Sequence, residues 1–151
     1  MITVERAVAE DAGEILTVQR AAYVTEAQLY GDPFIPPLVE SIERARKAIE
    51  EAVVLVARDG PRLVGSVRGK LSGSVCLVGR LVVVPDRQRR GIGSALLRAL
   101  HDAVPEAEAF DLFTGHLSEG NLRLCRKHGY REVGRERVHD HLTLIHMRRA
   151  A

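Results

Sequence analysis

Leu81-Val82-Val83-Val84-Pro85-Asp86-Arg87-Gln88-Arg89-Arg90-Gly91-Ile92-Gly93-Ser94 is the stretch that decides the architecture. It joins a valine-rich run, a basic turn with two glycines and the start of an amphipathic helix. The run reaches back to Val75 and is nearly continuous in apolarity, which predicts a strand buried on both faces at the centre of a sheet. Pro85 has no N–H to give a ladder and stops it. Beyond the turn, Ile92, Leu96, Leu97, Leu100 and Val104 share one side of a helix that begins at Gly91 or Ile92 and is ended by Pro105. Unpaired N–H groups at a helix N-terminus attract anions, and glycines let the backbone come close to them. Arg87, Arg89 and Arg90 add positive charge, although an ordinary turn with solvated arginines has the same composition, so spacing has to decide. A dinucleotide fingerprint fails, because Gly91 lies well beyond Val84 and the sixth position is Leu96. A P-loop at Gly115 to Gly120 fails too, because Asn121-Leu122 follows where Lys and Ser or Thr are required.

Working outward, Ile2 to Val8 reads as a strand, and Glu10-Asp11 opens a helix carrying Ile15, Val18 and Ala22 that runs to about Tyr23. Gly31 to Leu38 holds three of the six prolines and reads as a semi-rigid loop whose Phe34, Ile35 and Leu38 pack on the core or on a ligand. Ser41 is placed to cap a second helix through Ala52. Val53 to Arg58 and Arg62 to Lys70 form a hairpin around Asp59-Gly60-Pro61, and a turn at Ser72-Gly73 leads into the central strand. Phe110 to Thr114 is a strand, Ser118 to His128 a helix closed by Gly129, and the remainder two strands broken at His139-Asp140-His141. This order describes one α/β or α+β domain over residues 1–151.

Composition narrows the function. The chain of 151 residues has 46% hydrophobic and 28% charged side chains, a globular mixture. Its longest apolar runs fall far short of the roughly 20 residues a membrane span needs. With 22 basic against 20 acidic residues, net charge +2, no Trp and 4% aromatics, neither a nucleic-acid field nor a base-stacking platform is expected. The first residues, Met1 to Arg6, lack the features of a signal peptide, so a cytoplasmic protein is expected. Cys76 and Cys125 have no metal or disulfide spacing and are expected to be free thiols. His139-Asp140-His141 with His146 reads as a polar turn, and no metal is expected.

Gln88-x-x-Gly91-x-Gly93 after a Val-Pro strand end resembles the acetyl-CoA motif of the GNAT superfamily of N-acetyltransferases. Asn121 to Tyr130, with its Gly129-Tyr130 close, is similar to that superfamily's last helix, and the element order agrees over nearly the whole chain. The resemblance implies a mixed, mostly antiparallel sheet of about seven strands flanked by about four helices. It further implies that the strands ending at Val84 and at Thr114 splay apart to admit the pantetheine arm of acetyl-CoA. Backbone groups of Leu81, Val82 and Val83 would pair with that arm. Gln88, Arg89, Arg90, Gly91, Ile92, Gly93 and Ser94 would hold the pyrophosphate, mainly through N–H groups. Arg89 departs from the pattern, since many relatives carry glycine there. Asn121 would bond the arm or cap its helix.

The implied activity is acetyl transfer to a primary amine of a small molecule or peptide by direct attack. Relatives often protonate the departing thiolate with a tyrosine, and the matching position here is Cys125. Three roles are open to it: general acid, bystander to a protonating water, or core residue. The central strand carries no carboxylate base; His116 and Glu119 follow the Phe110 to Thr114 strand, and His116 is the candidate base. Tyr23, Glu26, Tyr30 and Phe34 are expected to bind the acceptor in the region from Tyr23 to Leu38 that the resemblance implies, and Glu26 and Asp32 have the charge to meet a cationic one. Exposed apolar residues in the proline-rich loop fit a substrate wall, a hinge or a homodimer contact. The missing tyrosine and base also keep open a non-catalytic acyl-CoA-binding module.

Overall fold

A computed structural model describes residues 1–151. Strands β1 (Ile2–Arg6), β2 (Val53–Asp59), β3 (Arg62–Ser72), β4 (Val75–Val83), β5 (Ala109–Gly115), β6 (Arg131–His139) and β7 (Leu142–Ala150) form one sheet in the order β1-β2-β3-β4-β5-β7-β6. All neighbours are antiparallel except β4 and β5. The helices are α1 (Ala12–Tyr30), α2 (Pro36–Val39), α3 (Ile42–Glu51), α4 (Ile92–Ala103) and α5 (Glu119–Lys127), with 3-10 turns at Ala9–Asp11 and Pro85–Arg87. No helix is long and apolar enough to cross a membrane.

The mixed seven-stranded sheet agrees with the expectation, and the helix count is five rather than four. The additional helix is α2, in the segment expected to be loop. Pro36 and Pro37 start it, where a missing N–H costs nothing and a fixed φ is already helical. Helix α1 also runs seven residues past Tyr23, to a left-handed Gly31 with φ 65°. The apolar periodicity fades after Tyr23, but Ala27, Gln28 and Leu29 are good helix formers. The extension places Tyr23, Glu26 and Tyr30 on one helix face, at spacings of three and four.

Strand β4 is central, yet it is not buried on both faces. Cys76, Val78 and Val82 are buried, whereas Leu77 is 49% exposed. Helix α4 covers one face, while α1, which packs across β3 and β4, leaves the Leu77 end of the other face open. Glycines on β3 set how closely α4 approaches. A Cβ at Gly65 would stand 2.9 Å from the Val82 carbonyl oxygen and 3.0 Å from Leu96 Cδ1, and one at Gly69 would stand 2.8 Å from Leu100 Cδ1. Leu96, Leu97 and Leu100 are consequently fully buried, each contributing about 1.5–3 kcal/mol.

On the other face a buried ion pair holds the α1–α3 connection to the sheet. Glu40, between α2 and α3, accepts from Arg68 Nη1 at 2.6 Å and Nη2 at 2.8 Å and from Gln19 Nε2 at 2.9 Å. Gln19 Nε2 also donates to the Pro37 carbonyl, and Arg20 donates to the Glu40 carbonyl. Burial pushes the Glu40 carboxyl up, but the Arg68 and Gln19 hydrogen bonds and nearby positive charge outweigh it, so its pKa lies below the usual glutamate value. Glu40→Gln should lower stability by roughly 3–5 kcal/mol at pH 7, because two guanidiniums lose their counter-charge. A depressed folded-state pKa gives stability that is complete above the unfolded value and lost as pH falls through the folded one. Urea titrations should therefore show a steeper acid loss for wild type than for Glu40→Gln. Equal slopes would contradict this role for Glu40.

Candidate active site

The sheet opens in the middle. Parallel pairing of β4 with β5 covers only Val75–Leu77 against Ala109–Asp111. Beyond that point β5 follows β7 as far as Gly115, opposite Leu144. Strand β4 leaves β5 at a bulge: the β3 register passes from Arg68↔Gly79 to Ser66↔Val82, so β4 holds one extra residue, and Arg80 adopts φ 52°. Past the bulge, the Val84 N–H bonds to the Val64 carbonyl at 2.9 Å. Alternation along an antiparallel ladder then commits Val82 to β3 and turns the N–H and C=O of Leu81 and Val83 toward the gap.

At one end of the gap stands the N-terminus of α4. Gly91 precedes it with φ 82°, and no side chain caps the helix, so the first N–H groups face outward. Arg89 and Gly91 both have left-handed backbone, with φ 65° and 82°. Left-handed residues interleaved in such a turn direct successive N–H groups toward one side. A non-glycine residue takes this conformation at a cost of about 1–2 kcal/mol, which Arg89 bears. Arg87 pairs with Asp59, and Asp86 accepts from Arg62 twice at 2.8 Å; these contacts fix the loop. Arg89 and Arg90 remain exposed. Gln88 Nε2 donates to the Val83 carbonyl at 3.3 Å, joining the loop to the strand end. The Ile92 side chain is buried, and Ser94 Oγ turns to His128 Nε2 at 2.8 Å, so these two residues offer the gap backbone rather than side chain. A Cβ at Gly93 would stand 3.0 Å from Leu124 Cδ2, so glycine lets α4 and α5 meet. Free N–H groups, left-handed turns and two unpaired arginines suit a phosphate chain.

At the other end α1 and the β5–α5 connection share a hydrogen-bonded chain. Ser118 Oγ donates to Glu26 Oε2 at 2.6 Å, so the Tyr30 hydroxyl, 2.6 Å from Ser118 Oγ, donates to the serine and accepts from the Leu117 N–H at 3.0 Å. Burial raises the Tyr30 pKa, so it remains a phenol. Tyr30 is 4% exposed and rests on Gly115, where a Cβ would lie 2.1 Å from its hydroxyl oxygen. Tyr30 is thus packed against the β5–α5 connection, whereas Tyr23 and Glu26 are half-buried. Phe34 is 76% exposed, on the loop between α1 and α2.

The two expected catalytic residues lie in structural surroundings. His116 Nδ1 accepts the Thr143 N–H at 3.0 Å, and the His116 N–H donates to the Thr143 carbonyl at 2.9 Å. An acceptor Nδ1 leaves the proton of the neutral ring on Nε2, so neither nitrogen is a free base. Cys125 is fully buried, with burial pushing its thiol up to about 11. Asn121 does not cap α5, because the helix begins at Glu119; its Nδ2 donates to Thr114 Oγ1 at 3.0 Å. The His139–Asp140–His141 turn is held by Arg137 on Asp140 and by the His141 N–H on His139 Nδ1. Sequence reasoning missed Ser118 and Arg80. A serine before a helix reads as a cap, and nothing in the local pattern marks an arginine inside a strand as sitting on a bulge.

Comparison with known proteins agrees with this geometry. The family described as "Acetyltransferase (GNAT) domain" matches residues 8–151. The chain belongs to the GNAT acetyltransferase family. It is 31% identical over 122 residues to the UPF0157 protein YqkA of Bacillus subtilis (strain 168), covering 81% of this chain and 35% of that protein. It thus spans about a third of the length of that curated relative. Among solved structures, the ribosomal-protein-S18-alanine N-acetyltransferase of Escherichia coli superposes with TM-score 0.82 at 16% identity, covering 99% of this chain and 94% of that one. The PaiA N-acetyltransferase of Thermoplasma acidophilum, in complex with coenzyme A, superposes with TM-score 0.81 at 16% identity, covering 100% and 99%. At such identities the structural likeness establishes the fold.

Proposed function

We propose that this chain is an acetyl-CoA-dependent N-acetyltransferase that acetylates a primary amine by direct attack in a ternary complex. The observation that carries this reading is the gap between β4 and β5, with an uncapped basic helix start at one end and a carboxylate at the other. Acetyl-CoA, when bound, supplies an acetyl group activated as a thioester. The N–H groups from Gly91 to Ser94, with Arg89 and Arg90, would hold its phosphates, and the gap-facing N–H groups of Leu81 and Val83 would align its arm. Glu26 takes the proton of the incoming ammonium, directly or through one water. Ser118 donates to Oε2 of Glu26 and fixes its rotamer, and the Tyr30–Leu117 contact fixes Ser118 in turn.

In this reading His116 pins β5 to β7, and Cys125 packs the core while solvent protonates the departing thiolate. Cys125→Ala should therefore leave kcat essentially unchanged, whereas losing a true general acid would lower it by about 10²–10⁴-fold. Thiol release from acetyl-CoA across a panel of polyamines, aminoglycosides, amino acids and peptides tests the function. Amine-dependent release is expected. Acetyl-CoA binding with no release above hydrolysis would instead indicate a non-catalytic acyl-CoA-binding module.

A further inference from the structure

On the α1 side of the gap one carboxylate, Glu40, is shared by two guanidiniums. Arg68 takes both carboxylate oxygens of Glu40. Arg80 reaches Glu40 Oε2 only at 3.7 Å, too long for a hydrogen bond, and its buried Nε has no hydrogen-bond partner. One carboxylate thus faces two guanidiniums, and a guanidinium does not relieve the surplus by losing a proton. The Arg80 side chain is 27% exposed, so most of it is withdrawn from water without a dedicated counter-charge.

Its placement is specific. Arg80 is the left-handed residue of the β4 bulge, just before the Leu81 and Val83 amides that face the gap. The bulge brings its guanidinium to Glu40, beside α1. Tyr23 on α1 lies within the field of both Arg80 and Glu26; burial pushes its hydroxyl up to about 12, and Arg80 acts against that rise. Arg80, which shares Glu40 with Arg68, and Glu26, whose Oε2 alone is taken by Ser118, therefore both act on one half-buried tyrosine.

We propose that Arg80, assisted by the Tyr23 hydroxyl, binds a carboxylate of the acceptor, so that the acceptor class is a small amino carboxylate. Its amine stands a few bonds from its own carboxylate, the ammonium meeting Glu26 and the carboxylate meeting Arg80. This assignment rests on the acetyltransferase reading and deepens it.

The test compares free amino acids with their carboxamides, which keep the amine and shape but lose the negative charge. Wild type should favour the acid over the amide by at least about tenfold in kcat/KM. Arg80→Gln should abolish that preference while acetyl-CoA affinity and Tm stay near wild type, and Arg80→Lys should restore part of it. Tyr23→Phe, which removes only a hydroxyl, should lower the preference severalfold and serves where Arg80→Gln fails to fold. Equal use of acids and amides by wild type, or a preference surviving in Arg80→Gln, overturns the proposal. Calorimetric titration of the same acids into the protein–CoA complex separates the two readings. Arg80-dependent binding of acids without turnover would sustain the site and contradict the acetyltransferase reading; neither binding nor turnover of any acid would overturn the site.

Discussion

Gly91→Glu is expected to weaken acetyl-CoA binding at least about 100-fold, or about 2.7 kcal/mol, while leaving the protein folded. Two effects act in the same direction. Gly91 sits at φ 82° immediately before α4, and any Cβ there strains the turn that aims the N–H groups by about 1–2 kcal/mol. The glutamate also puts a negative charge at a helix end whose field favours anions. An ideal Cβ at this position meets nothing within 4 Å, so the core is not disturbed. Gly91→Ala carries the backbone strain without the charge and should fall between wild type and Gly91→Glu. Calorimetry with acetyl-CoA, with thermal melts as a folding control, reads the series. A Kd unchanged in Gly91→Glu would remove the phosphate chain from the α4 N-terminus.

Glu26→Gln should lower kcat by about 10²–10⁴-fold, the usual share of a general base, with acetyl-CoA affinity unaltered. Glutamine still accepts the Ser118 hydroxyl hydrogen bond, so the variant removes basicity and charge while keeping shape. Ser118→Ala should reduce kcat by less, because it frees the Glu26 rotamer without removing the carboxylate. It also leaves the buried Tyr30 hydroxyl without its acceptor, at a cost of about 1–3 kcal/mol in stability. Steady-state kinetics with one responsive amine separates these effects. Wild-type kcat in Glu26→Gln would assign the base elsewhere.

The parts of the molecule governed by local rules were legible in the sequence. The α4 stripe from Ile92 to Val104, the prolines bounding β4 and α4, and the glycine turns gave the element order, because periodicity and backbone permissiveness act over a few residues. The phosphate end of the gap was legible for the same reason, since its donors are consecutive backbone groups. At the acceptor end the candidate residues were legible, but not what holds them. Glu26 is held by Ser118, 92 positions away, and Arg80 is placed by a bulge that only pairing with β3 reveals. Glu40 reads as one more surface carboxylate until Arg68 and Gln19 close around it. His116 has the chemistry of a base, but β7 occupies the nitrogen that would accept the proton. Cys125 stands out by resemblance alone, and its burial in the core is a tertiary property that no local pattern marks.

Initial velocities measured while acetyl-CoA and an accepted amine are varied together distinguish direct attack from transfer through the enzyme. Direct attack in a ternary complex predicts double-reciprocal lines that intersect. Parallel lines, the pattern of ping-pong transfer through an acetylated enzyme, would contradict it.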